Sequence, residues 1–129
     1  MSGQFGYELD LSALSDGELA LAKEQVAFYK AYRSVVQQGD MYRLLSPFES
    51  DLVAWEFEKD GTALLCTFVQ KGTPATTMQR VKMQGLEPDA VYVRQDTGAA
   101  FSGAFLMQVG VPCDHSKDYL SQILVFKKQ

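Results

Sequence analysis

Apolar residues recur with a helical period over one stretch of this chain and with an alternating period over most of the rest. Between Asp16 and Gln38 they form two adjacent stripes. Leu21, Phe28, Tyr32 and Val35 make one, and Ala22, Val26, Tyr29 and Val36 the other. Spacings of three, four or seven put both stripes on one broad helical face. Ser15-Asp16-Gly17-Glu18 fits a capping box, in which the Ser hydroxyl accepts from an orphan N–H and Glu18 reaches back. Gly39 is placed to close the helix in a left-handed conformation. At 1.5 Å per residue the helix would be about 35 Å long. Such length is unusual beside a small sandwich and ordinary on the outside of a (β/α) barrel.

After Gly39 the period becomes two. Tyr42–Leu45 is a short apolar run ended by Ser46-Pro47, and Val53–Glu58 alternates with Val53, Trp55 and Phe57 on one face. Asp60-Gly61 reads as a hairpin turn into Thr62–Gln70, and Gly72-Thr73-Pro74 breaks the chain again. Thr77–Met83, Ala90–Arg94 and Leu120–Lys127 read as further strands, with turns at Pro88-Asp89 and Thr97-Gly98. The predicted fold is mainly β: an antiparallel β-sandwich of six to eight short strands over 40–129, preceded by one long amphipathic α-helix within 1–39. Before the helix, Phe5-Gly6-Tyr7-Glu8-Leu9 is short, aromatic and alternating, as in a barrel strand end or the loop after one.

Composition narrows the function classes. The 129 residues are 47% hydrophobic and 22% charged, which suits one globular domain, or one domain and a fragment of another. A net charge of -4 without a basic patch argues against nucleic acid or an anionic membrane as partner. No run approaches the roughly 18 apolar residues of a spanning helix. The opening Ser2-Gly3-Gln4 lacks the basic and apolar regions of a secretory leader, so the expected location is the cytoplasm. Cys66, inside an apolar run, reads as a small buried hydrophobe. Cys113, after Pro112 in a loop, reads as a partly exposed thiol, and a disulfide between them is not expected.

Candidate chemistry is sparse. Glu8 and Asp10 lie two apart, as do Glu56 and Glu58, which in a strand is about 6.6 Å and overlaps the carboxyl separations of glycosidases. Neighbours on one strand form one wall, however, and cannot flank a bond from both sides. Glu56 and Glu58 are therefore expected on a solvent face, and Glu8 and Asp10 in local hydrogen bonds. His115, the only histidine, sits in Cys113-Asp114-His115-Ser116, too compact to surround a metal ion, and a surface loop is expected. Nucleophile-elbow and phosphate-loop patterns are absent, and Trp55, in phase with Val53 and Phe57, reads as core. No catalytic, cofactor-binding or metal-binding residue is assigned.

The wording of the sequence carries more than its periodicity. Phe5-Gly6-Tyr7-Glu8-Leu9-Asp10-Leu11, Phe28-Tyr29-Lys30, Tyr32-Arg33 and Gly39-Asp40-Met41-Tyr42-Arg43-Leu44-Leu45-Ser46-Pro47-Phe48 occur in order. Gly85-Leu86-Glu87-Pro88-Asp89-Ala90-Val91-Tyr92, then Phe101-Ser102-Gly103 with Leu106-Met107 and Gly110, and finally Ser121 follow. This series resembles the C-terminal part of family 36 glycoside hydrolases, the bacterial α-galactosidases; only Pro112-Cys113-Asp114-His115 departs from its pattern. The resemblance implies that 1–39 is the end of a catalytic barrel and 40–129 a C-terminal β-sandwich domain that supports it. It implies a parent that hydrolyses terminal α-galactosyl residues of oligosaccharides with retention, using two Asp residues on earlier barrel strands, whose motifs do not occur here. The isolated chain would then be inactive and without cofactor, with the parent's barrel as its partner. Met1 would be a start residue before a truncated segment, and the exposed helix would drive self-association. A stand-alone carbohydrate-binding or interaction module, and a raffinose-synthase-like transferase as parent, are the alternatives.

Overall fold

A computed structural model describes residues 2–8, 10–72 and 78–129. The long helix, α1, runs Asp16–Gln38. Its capping box is formed: Glu18 N–H donates to Ser15 Oγ (3.4 Å), and Ser15 N–H donates to Glu18 Oε2 (2.9 Å). Gly39 ends the helix, but not in the left-handed region. Its φ is -84°. A Cβ there would collide with Val35 O and stand 2.6 Å from Glu58 O, so glycine is required by the close approach of two backbones. Before the helix, Leu11–Ala13 forms one 3₁₀ turn whose N–H at Ser12 is capped by Asp10.

Among the described residues eight strands follow: β1 Asp40–Leu45, β2 Leu52–Lys59, β3 Thr62–Val69, β4 Gln79–Val81, β5 Val91–Arg94, β6 Ala100–Ser102, β7 Val111–Cys113 and β8 Ser121–Lys128. A short helix, α2, occupies Gly103–Gln108 between β6 and β7. The strands form a six-stranded sheet in the order β1-β2-β3-β8-β5-β6 and a two-stranded sheet of β4 and β7. Every pairing is antiparallel. The expected turns at Asp60-Gly61 and Thr97-Gly98 carry positive φ, as tight hairpins require. The expected strand Thr77–Met83 is shorter, and Thr77, like Thr73 and Pro74 of the preceding break, lies outside the described residues.

The large sheet is covered on both faces. On its inner face, Leu52, Ala54, Leu65, Val69, Leu124 and Phe126 pack against Val81, Met83, Leu86, Leu106 and Val111 from the second layer. On its outer face, Phe57, Leu64, Cys66 and Val125 pack against Phe28, Tyr32, Val35 and Val36 from the C-terminal half of α1. β3 is thus buried on both sides, which is why it reads as a continuous apolar run rather than an alternating one.

Candidate functional site: a buried carboxyl and an unfinished outer face

Glu56 corrects the sequence-based expectation most sharply. It was expected in solvent, yet it is 0% exposed, on the inner face of β2. The reason is the second layer: once α1 covers Trp55 and Phe57, the alternate positions of β2 face the two-stranded sheet, not water. Gln84 N–H donates to Glu56 Oε2 (3.0 Å), while Oε1 has no partner among the described residues. Burial pushes the carboxyl up to about 8; the Gln84 bond opposes this and the charge of Glu58 adds to it. Glu58 is half-buried rather than solvated, and its Oε1 accepts from Gly61 N–H (2.9 Å) in the hairpin turn. The pair therefore clamps a turn and a crossing segment. Thr67 Oγ1 and Gln122 Oε1, from residues opposite one another on β3 and β8, are also buried without partners among the described residues.

The segment that Glu56 holds leads into Gly85–Tyr92, one of the stretches that carry the family-like wording. Gly85 has φ 69°, and Glu87–Ala90 is closed by Ala90 N–H donating to Glu87 O (3.2 Å). Gly103 and Ala104, at the start of α2, donate to Ala90 O and Pro88 O (both 2.9 Å). A side chain at Gly103 would run into Glu87 O. Those residue types are thus fixed by the docking of the turn on α2, not by chemistry on a substrate.

The other singled-out residues are dispersed. Glu8 is exposed, and Asp10 accepts from Ser12 N and Oγ (2.9 and 2.6 Å), which holds its carboxyl below the usual range, a local bond as expected. His115 lies in a loop with Nδ1 3.5 Å from Cys113 O. No cluster of three or more His, Cys, Asp or Glu suited to a metal occurs among the described residues. Cys113 is not a partly exposed loop thiol: it sits in β7 at 1% exposure, and burial pushes it up to about 11. Cys66 is buried as expected, pushed up to about 11 by burial, and belongs to the outer-face core while Cys113 belongs to the inner one. Trp55 is only half-buried, and its Nε1 donates to Ser2 Oγ (2.8 Å).

Apolar surface is left open along the outer face. Leu21 (55% exposed) and Tyr7 stand on or beside the N-terminal half of α1, with shallow grooves lined by Leu14, Leu19, Ala22 and Val26. A larger groove of about 590 Å³ lies at the β1–β2 end, lined among others by Met41, Arg43, Phe48, Val53 and Trp55. Phe48 is 95% exposed. Sequence reasoning placed a turn at Ser46-Pro47 but gave Phe48 no role; an aromatic residue directly after such a turn was the available signal.

No helix of the described residues is long and apolar enough to cross a membrane. A model of the glycosyl hydrolase family 36 C-terminal domain matches residues 52–126, the strands from β2 to β8. The chain is 36% identical to the bifunctional α-galactosidase/sucrose kinase AgaSK of Mediterraneibacter gnavus, over 87% of this chain and 12% of that protein. It is 38% identical to α-galactosidase AgaA of Geobacillus stearothermophilus, over 95% of this chain and 17% of that one. The crystal structure of AgaA superposes with a TM-score of 0.91 at 37% identity, covering 99% of this chain and 18% of that one. The chain therefore spans less than a fifth of the relatives it matches, and α1, both sheets and the turn docked on α2 fall within the matched region. Matched over more than half its length to one family's domain, and by fold over nearly all of it, the chain belongs to glycosyl hydrolase family 36 as its C-terminal domain.

Proposed function

We propose that residues 1–39 are the end of a catalytic barrel and residues 40–129 the non-catalytic C-terminal domain of a larger, retaining α-galactosidase. In that protein the domain braces the barrel, and the barrel is its partner. The observation that carries this reading is α1: its C-terminal half is seated on the sheet, while Leu21 and the apolar N-terminal half project beyond it. A helix finished by two different bodies joins them. The names of the relatives, α-galactosidases, supply the reaction, and one form of AgaA was crystallised with raffinose, an α-galactoside. Retention needs two opposed carboxyl groups about 5–5.5 Å apart. Glu56 is enclosed in the core, and Glu8 and Asp10 stand together on one exposed segment, which supports placing the catalytic pair elsewhere in the parent. A cytoplasmic location fits two cysteines kept as thiols in separate cores.

The test is hydrolysis of a chromogenic α-galactoside by the 129-residue chain and by the full-length parent. Turnover by the parent alone is expected. Turnover by the purified chain that is lost in Glu8→Ala or Asp10→Ala would overturn the assignment.

A further inference from the structure

We propose that the crevice where β5, β6 and α2 meet the two-stranded sheet, lined among others by Arg80, Arg94, Phe101 and Phe105, is a binding site for a small aromatic carboxylate. The crevice belongs to the inner layer, across the large sheet from α1 and apart from the surface assigned to the barrel. It goes beyond the proposed function and does not depend on it.

The apolar part of the crevice is firmly built. The rings of Phe101 and Phe105 stack at 5.6 Å and 17°, and Phe101 meets Phe126 of the inner core edge-on at 6.4 Å and 65°. Phe105 nevertheless stays 36% exposed. The space is about 150 Å³. That is below the roughly 300–1,000 Å³ of pockets for drug-sized ligands, and it suits a single ring.

The polar part carries a charge that the chain does not balance. Arg94 is held by a two-point bond to Asp96, Nε to Oδ1 and Nη2 to Oδ2 (both 2.6 Å). Arg80 Nη1 donates to Gly110 O (2.9 Å), but Arg80 makes no ion pair among the described residues. Gly110 is itself fixed, with φ 82° and its N–H donating to Phe105 O (3.1 Å). The guanidinium of Arg80 is thus anchored by one nitrogen, and its Nε and Nη2 have no partner among the described residues. No acidic side chain of the described residues lines the crevice, although the whole chain has a net charge of -4. A planar fork of N–H donors matches a carboxylate better than a sugar hydroxyl. A ring joined to that carboxylate would lie against the open side of Phe105. Either half alone would leave the other part of the crevice unused.

The test is titration of the isotope-labelled 129-residue chain with benzoate, acetate, benzyl alcohol and raffinose, followed by amide chemical shifts. Benzoate should shift Phe101, Phe105, Gly110 and Val111 saturably, about tenfold more tightly than acetate or benzyl alcohol. Arg80→Gln should weaken benzoate about tenfold, the worth of one charge-assisted bond. Phe105→Leu keeps apolar bulk and should abolish the preference for benzoate over acetate, which decides the matter if Arg80→Gln does not fold. No saturable shift with benzoate, or shifts centred on the Phe48–Trp55 groove, would overturn the proposal. So would equal binding of benzoate and benzyl alcohol, unchanged binding in both variants, or raffinose shifting the same amides more tightly than benzoate.

Discussion

The two faces of the six-stranded sheet are finished to different degrees. The inner face is closed by the chain's own second layer: Leu52, Leu65, Tyr92, Leu106 and Phe126 are each 1% exposed or less, and even the carboxyl of Glu56 is sealed in. The outer face is closed only where the last turns of α1 cross it. Trp55 there is half-buried, Met41 and Phe48 are open, and the first half of α1 lies outside the cluster that packs on the sheet, with Leu21 exposed and only the segment before the helix beside it. A domain that evolved alone would have to cover or replace such surface. The inner face holds this fold together, and the outer face joins it to something else.

Removing residues 1–39 is the most severe way to test that division. It would uncover Phe57, Leu64, Cys66 and Val125, each worth about 1.5–3 kcal/mol when fully buried. Chain 40–129 should lose roughly 5 kcal/mol or more, comparable to the whole stability of a small domain. Urea unfolding with an unchanged midpoint would mean that α1 contributes nothing to the sheet.

Single truncations sharpen the same contrast. Phe126→Ala, at 0% exposure on the inner face, should cost about 3–5 kcal/mol. Trp55→Ala, half-exposed on the outer face, should cost less, about 1–2 kcal/mol. Equal losses in urea melts would put Trp55 in a sealed core after all.

Glu56 gives the inner face a pH dependence. Its folded pKa is raised to about 8 from an ordinary 4.5, so between these values the unfolded chain releases a proton that the native chain keeps. Stability then falls as pH rises, by about 1.4 kcal/mol per pH unit, and no further above pH 8. No penalty from this group exists below pH 4.5. Other groups titrate in the same range, so the difference between wild type and Glu56→Gln is the quantity to follow. That difference should grow in favour of the variant from pH 5 to pH 8. Parallel pH profiles would show that the carboxyl is solvated in the native state.

These contrasts were partly legible in the sequence. The stripes of α1, its capping box and the hairpin at Asp60-Gly61 depend on near neighbours, and local rules found them. The run Ala63–Thr67, apolar at four of its five positions, was legible as a strand with a buried Cys66, while its cover on both faces shows only in the packing of α1 and the second layer. Glu56 was misplaced because alternation in β2 says which residues share a face, not whether the second face is also covered. Cys113 failed for a related reason: β4 and β7 are three residues each, too short for periodicity, and pair across a span of thirty residues. α2 was hidden likewise, since its six residues are held by bonds to the Pro88–Ala90 turn, not by a stripe. Gly39 showed that a helix should end there, but the backbone of β2 at Glu58, which demands glycine, is a tertiary fact.

The smallest predicted effect concerns the cap of α1. Ser15→Ala removes the acceptor for Glu18 N–H and half of the reciprocal box. In a helix that unfolds with the rest of the protein, that loss is worth about 1 kcal/mol. Here the capped end is far from the turns that carry Phe28, Tyr32 and Val35, and Leu19, Ala22 and Val26 belong to neither core cluster. The first half of α1 should therefore open by itself, at a free energy below that of global unfolding. In the 129-residue chain, Ser15→Ala should leave the urea midpoint unchanged within about 0.3 kcal/mol and speed hydrogen exchange of residues 19–26 about fivefold. In the full-length parent, where the proposed barrel holds that half, the same substitution should leave those amides protected. A global loss near 1 kcal/mol in the isolated chain would show that α1 and the sheet unfold as one unit, and that the outer face is more complete without its partner than its exposed residues indicate.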